Sequence, residues 1–226
     1  MYMNIKKTAN LFIDFATKRL AEISGLILLF LGLALFVALF TYSPEDPNFI
    51  FPDSTEIKNI FGFKGSFVSD LFFQSVGLIA YLISLTFVIT GINLFKSKEF
   101  VLIIENTFFA VIYCIFGTLF LTHFYSDAFT LYINGNGGFI GSFLNQTYLN
   151  QILLINSQLS YYFLIILILF LFSKSINLNP LKLYKLLLKS LNLFKKKEQK
   201  NYTDKNELIS EYIPQDEIKN LIQEDL

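Results

Sequence analysis

From Ile23 to Thr41 the chain is apolar and carries no charge, until the polar run Tyr42-Ser-Pro-Glu-Asp-Pro-Asn-Phe49 stops it. A helix rises 1.5 Å per residue, so roughly 20 apolar residues cross ~30 Å of hydrocarbon. The pattern predicts a first membrane span over about 23–42. Pro44 and Pro47 lack an amide donor and bias Ser43 and Asp46 away from helical angles, while Glu45 and Asp46 are costly in lipid.

A second apolar stretch, Leu71 to Phe95, follows Gly62-Phe-Lys-Gly65, with Ser66 as its expected N-cap and Asp70 in its first turn. The tight polar turn Lys96-Ser-Lys-Glu99 leads directly into a third span over about 100–122. A fourth is expected over about 157–175, its core built from Leu, Ile, Tyr and Phe without small residues, which places it at the periphery of a bundle. Small residues recur in the other three. Gly25 and Gly32 mark the first; Gly77, Ala80, Ser84 and Gly91 the second; Asn106, Ala110, Cys114 and Gly117 the third. At such helical steps they form faces along which membrane helices approach closely, and they are the candidate helix-packing residues.

The flanking segments read differently. Residues 1–22 carry Lys6, Lys7, Lys18 and Arg19, with Leu11, Phe12, Phe15 and Leu20 at helical spacing, which predicts a short amphipathic helix on the membrane surface. No small-x-small cleavage signal follows the first span, so it reads as an uncleaved anchor. Between His123 and Ser157 the chain is polar and glycine-rich, and Asn134-Gly-Asn-Gly-Gly138 leads into a helix too short to span. Leucines and lysines over 179–197 predict a basic interfacial helix, and 198–226 an acid-leaning polar linker or tail.

Basic residues set the orientation. They crowd the N-terminal arm, the turn at Lys96 and Lys98, and the segment after the fourth span; the two opposite loops carry only Lys58 and Lys64. The positive-inside rule then puts both termini in the cytoplasm. The fold class expected is an all-α membrane protein of four transmembrane helices with short interfacial helices. Composition agrees: 54% of residues are hydrophobic and 27 are Phe, although the net charge is zero.

Candidate chemistry is sparse. Cys114 is the lone cysteine, so no internal disulfide forms, and His123 is the lone histidine, with only Asp127 close by for a metal. Glu105 is the one acid inside a span, and its spacing from Lys98 suggests a headgroup contact or a basic partner. The glycines at 135–138 lack the Gly-Lys-Ser/Thr ending of a phosphate loop. No residue qualifies as a catalyst, and no cofactor is expected.

The ordered combination of a span, Ser43-Pro-Glu-Asp-Pro-Asn-Phe49, Gly62-Phe-Lys-Gly65, Asp70-Leu-Phe-Phe73, Gly77-Leu-Ile-Ala-Tyr81 and Gly137-Gly-Phe-Ile-Gly-Ser-Phe-Leu144 resembles the N-terminal four-helix membrane domain of the FtsK/SpoIIIE DNA translocases. The resemblance covers about 21–173 and concerns the anchor only. ATP and Mg are then expected only for a motor domain outside this sequence, and contact with DNA only through that motor. The chain is accordingly read as a fragment, a truncated product or a separate subunit.

The resemblance implies an anchor in the bacterial inner membrane, at the division septum, that tethers the motor and helps it oligomerise. Its implied partners are the lipid bilayer, further copies of the chain in a hexamer, and other cell-division membrane proteins. Ser43, Pro44, Asp46, Pro47, Gly65, Asp70, Gly137, Gly138 and Gly141 are the candidate periplasmic family motifs, as docking surfaces or as packing elements. A motor-less membrane scaffold is the alternative. A small transporter would need polar residues along a mid-bilayer path, and no such path or internal repeat is evident.

Overall fold

The computed structural model describes residues 2–47, 56–126 and 134–178, with side chains of the first helix described from Lys7 onward. The chain divides into two units, Met1–Asn179 and Pro180–Leu226. The second lies outside the described residues, and with it the expected basic helix over 179–197 and the tail over 198–226.

The first helix, α1 (Tyr2–Phe40), is 39 residues long. At 1.5 Å per residue it extends about 58 Å, roughly twice the thickness of the hydrocarbon. The arm expected as a separate surface helix is therefore continuous with the first span. No proline or glycine lies between residues 2 and 24 to break it. Glu22 marks where the span begins: its carboxylate meets Arg19 at 2.5 Å and Lys98 at 2.6 Å. The rise from Glu22 to Phe40 is then about 27 Å.

The second apolar stretch departs most from expectation. It comprises two helices, α2 (Gly62–Val76) and α3 (Ala80–Ser97), joined by a 3₁₀ turn over Gly77–Ile79. Gly77 has φ 61° and ψ −143°, a conformation open essentially to glycine alone, and it ends α2. The residues just before and just after α2 are tied to the same turn of α1. Asn59 Nδ2 donates to the Ala38 carbonyl at 2.9 Å, and Tyr81 OH to the Leu39 carbonyl at 3.1 Å. The segment carrying α2 thus starts and finishes at one level, and α3 alone makes the crossing, from Tyr81 beside Leu39 to Lys98 beside Glu22. The expected span over 71–95 is corrected to Ala80–Ser97. Ser66 and Asp70 are not its N-terminal residues but lie buried within α2.

Helix α4 (Val101–Phe124) returns across the membrane, and two short helices follow, α5 (Gly138–Asn145) and α6 (Tyr148–Ile155). Thr147 caps α6 by accepting the Leu149 amide, and Asn156 caps α7 (Ser157–Ser175) by accepting that of Leu159. Within its apolar stretch α7 has only 11% of its residues buried, against 28% to 39% in the other spans, so it is peripheral.

The helices pack in a fixed order. α1 lies against α3 through glycines: a Cβ on Gly25 would stand 2.8 Å from the Gly91 carbonyl oxygen, and one on Gly32 2.7 Å from the Val88 nitrogen. Two apolar clusters join the helices, Leu39 with Phe73 and Ala80, and Leu119 with Leu153, Leu164 and Ile168. A third, of Ile79, Tyr113 and Leu171, links the 3₁₀ turn before α3 with α4 and α7. Lipid is as apolar as these side chains, so close packing and hydrogen bonds hold the bundle, not burial from water.

Candidate functional site

Polar groups concentrate at the two ends of the bundle. At the end where α1 finishes, Asp46 is 1% exposed. The prolines on either side keep it out of a helix, and Asp46 N donates to Ser43 O at 3.2 Å in a turn. Its carboxylate accepts the amides of Lys58 at 2.8 Å and Asn59 at 3.0 Å. Asn59 in turn occupies the Ala38 carbonyl, so Asp46 fixes the residue that closes the last turn of α1.

A second relay runs through Asp70. It accepts from Tyr42 OH at 3.0 Å and from Gln74 Nε2 at 3.4 Å, and Asn134 Nδ2 donates to Gln74 Oε1 at 3.1 Å. Ser66 Oγ donates to the Pro47 carbonyl. Two connecting segments, the one after α1 and the one before α5, are thereby stitched to α2. On the exposed rim Lys58 and Glu45 pair at 2.6 Å. That hydrogen bond holds the Glu45 carboxyl below the ordinary range and raises the Lys58 ammonium above its own.

The glycines of this end are interlocked. Leu78 N donates to the Asn136 carbonyl at 3.0 Å. A Cβ on Gly77 would strike the Asn136 carbonyl, and one on Gly138 would come within 2.7 Å of the Gly77 nitrogen. Gly137 and Gly141 lie one turn apart against Thr118 and Thr122 of α4. Asn136 is buried and its Nδ2 donates to the Tyr125 carbonyl. Of the family motif residues, Asp46, Pro47, Gly65, Asp70, Gly137, Gly138 and Gly141 are buried inside the chain, and Ser43 and Pro44 partly so. The buried ones pack and cap within this chain.

At the opposite end a polar seam joins α3, α4 and the end of α7. Thr86 Oγ1 lies 2.9 Å from Tyr113 OH and 3.1 Å from Ser175 Oγ. Asn106 donates to Thr90 Oγ1 at 2.8 Å and accepts from Asn177 at 2.9 Å, while Asn93 donates to the Ile176 carbonyl at 3.1 Å. Asn177 reaches its partner from a left-handed turn with φ 51°. The seam involves no charged side chain, and its groups bond one another instead of facing an open path.

The small-residue candidates separate accordingly. Gly25, Gly32 and Gly91 form one seam between α1 and α3, and Gly77 belongs to the interlock. Gly117 accommodates Ile79, Ala80 packs with Leu39 and Phe73, and Ala110 and Cys114 pack against the cluster of Ile79, Tyr113 and Leu171. Ser84 donates to the carbonyl of Tyr81 in its own helix. Asn106 is a hydrogen-bonding residue of the seam more than a packing one. Glu105 is exposed, and the neighbouring Lys98 pairs with Glu22, a contact between α1 and the α3–α4 turn. Sequence reasoning missed Thr86, Thr90, Asn93, Ser175 and Asn177. The signal available was the recurrence of Asn near one membrane face, where each side chain needs a partner.

Four apolar crossing helices, capped at one end and hydrogen-bonded at the other, define a multi-pass membrane domain of bundle type. The chain belongs to the FtsK/SpoIIIE family: the family described as the 4TM region of DNA translocase FtsK/SpoIIIE matches residues 17–184. It is similar to the DNA translocase FtsK of Azospirillum brasilense, 31% identical over 112 residues, covering 49% of this chain and 17% of that protein. The DNA translocases FtsK of Rickettsia typhi and Rickettsia bellii are 30% and 32% identical over 77 and 78 residues, each covering 34% of this chain. Those matches span 10% of each Rickettsia protein. No solved structure matches the chain. With four membrane helices of this family, the protein is a multi-pass bacterial inner-membrane protein associated with lipid.

Proposed function

We propose that this domain anchors a DNA-translocating motor at the division septum and helps its subunits assemble, with both termini in the cytoplasm. The observation that carries the reading is the family match, which runs from the membrane end of α1 through α7. A motor that pulls on DNA needs something to push against, and an anchor also confines motor subunits in two dimensions, raising their effective concentration. The assembly is read as a hexamer of this chain in contact with other division membrane proteins. ATP and Mg belong to the motor, and this chain binds neither.

The hydrogen-bonded seam supports the anchoring role. Residues 175–177, the last before the chain continues toward 179–226, are bonded to both α3 and α4. Tension arriving from the C-terminal side is shared by three helices and not borne by the peripheral α7 alone.

The test is a fluorescent fusion of the full chain expressed in a dividing rod-shaped bacterium. Enrichment at midcell is expected. A uniform membrane signal through constriction, with the fusion intact, would remove septal tethering from its role.

A further inference from the structure

The helix α2 overhangs a groove on the lipid-facing side of the bundle. Leu31, Ala34, Leu35 and Ala38, one face of α1, form its wall; the segment from Phe61 to Phe72 forms its roof, and Phe87 of α3 lies at its deeper end. The cavity is about 480 Å³, within the ~300–1,000 Å³ of ordinary ligand sites. From Leu31 to Ala38 the wall runs about 10 Å along the helix axis. Its lining is apolar with one exception, Lys64.

Two described lysines lie near the end of the bundle where α1 finishes, Lys58 and Lys64, and they differ in their pairing. Lys58, at the same end, is held by Glu45, and Lys98, at the other, by Glu22. Lys64 is exposed and makes no ion pair among the described residues. A long lysine stem lies along apolar surface while its ammonium reaches the headgroup layer. A cation at the rim of an apolar slot matches a molecule with an acyl chain and a negative head.

We propose that the groove beneath α2 is a binding site for an anionic phospholipid, with an acyl chain against α1 and the headgroup phosphate on Lys64. A zwitterionic lipid offers the same phosphate, but its own ammonium competes for it, so charge selects the occupant. The selection expected for one lysine near the surface is about fivefold.

The experiment is native mass spectrometry of the full chain released from micelles with equal phosphatidylglycerol and phosphatidylethanolamine of matched chains. The wild-type chain retains phosphatidylglycerol about fivefold over its rival. Lys64→Gln loses that preference, whereas Lys58→Gln keeps it, and Ala34→Phe, which fills the groove, lowers retention of both lipids. Circular dichroism checks that each variant is folded; should Ala34→Phe fail, Lys64→Gln and Lys58→Gln still decide. Equal retention by the wild-type chain, or an unchanged preference in Lys64→Gln, overturns the proposal. So does efficient disulfide formation between copies carrying Val68→Cys in a Cys114→Ala background, which would put a second copy in the groove.

Discussion

At the scale of single residues, Gly77 carries the largest structural burden for its size. Its φ of 61° excludes most side chains, and the Asn136 carbonyl occupies the space a Cβ would need. Gly77→Ala should cost about 3 kcal/mol, from strain and overpacking together. Reversible unfolding in bicelles measures it, and a loss below about 0.5 kcal/mol would contradict the interlock. The Glu45–Lys58 pair behaves differently because it is exposed. A depressed carboxyl stabilises the fold above the ordinary carboxylate range and stops doing so as pH falls through its lowered value. A raised ammonium contributes below the ordinary lysine range, and that contribution fades as pH climbs through its raised value. The pair is therefore intact across the neutral range. In Lys58→Gln, Glu45 should titrate at higher pH than in the parent chain, as read by carboxyl carbon shifts in an NMR titration.

At the scale of elements, the four crossings were readable in the sequence because apolar composition is dictated by the solvent they sit in. Their pairing was only half readable. Gly25, Gly32 and Gly91 were recognisable as close-approach positions, but nothing local says that their partners are each other. Gly77 was misread because its spacing from Ser84 and Gly91 fits a continuous helix, and only a carbonyl some sixty residues away reveals the break. The polar seam was missed because single Thr and Ser residues in apolar spans are common and usually bond their own helix, as Ser84 does. Asn106 makes the seam testable. Asn106→Leu removes two hydrogen bonds and leaves Thr90 and Asn177 without that partner. At ~0.6 to ~1.7 kcal/mol per membrane hydrogen bond, the cost should be about 1–3 kcal/mol. Amide exchange at residues 175–178 should speed up well before the α1–α3 pair responds. Uniform exchange across the bundle would mean that the seam does not hold the end of α7 separately.

At the scale of the whole molecule, the glycine seam has a use that rules out another. A surface consumed in pairing α1 with α3 cannot also join two copies of the chain. In the proposed assembly of copies, contacts would fall instead on outward faces, such as the exposed Ile104, Phe108 and Val111 of α4 or the exposed side of α7. With Cys114→Ala as background, Gly25→Cys should give no disulfide between copies in native membranes, while a scan of the outward α4 and α7 faces should give one. Crosslinking at Gly25 and nowhere on those faces would reverse the assignment.

The interlock of Gly77 with Asn136 also sets an order in time. Gln74 and Asn134, its hydrogen-bonded neighbours, are separated by 60 residues. At ~5–20 residues per second of synthesis, the second emerges about 3–12 s after the first. During that interval α4 must be made and carried across the bilayer, and the kink at Gly77 has no carbonyl to close upon. The end of the bundle where α1 finishes is therefore completed late, seconds after its first helices have been inserted, and a slow passage of the 125–137 loop would delay the whole assembly.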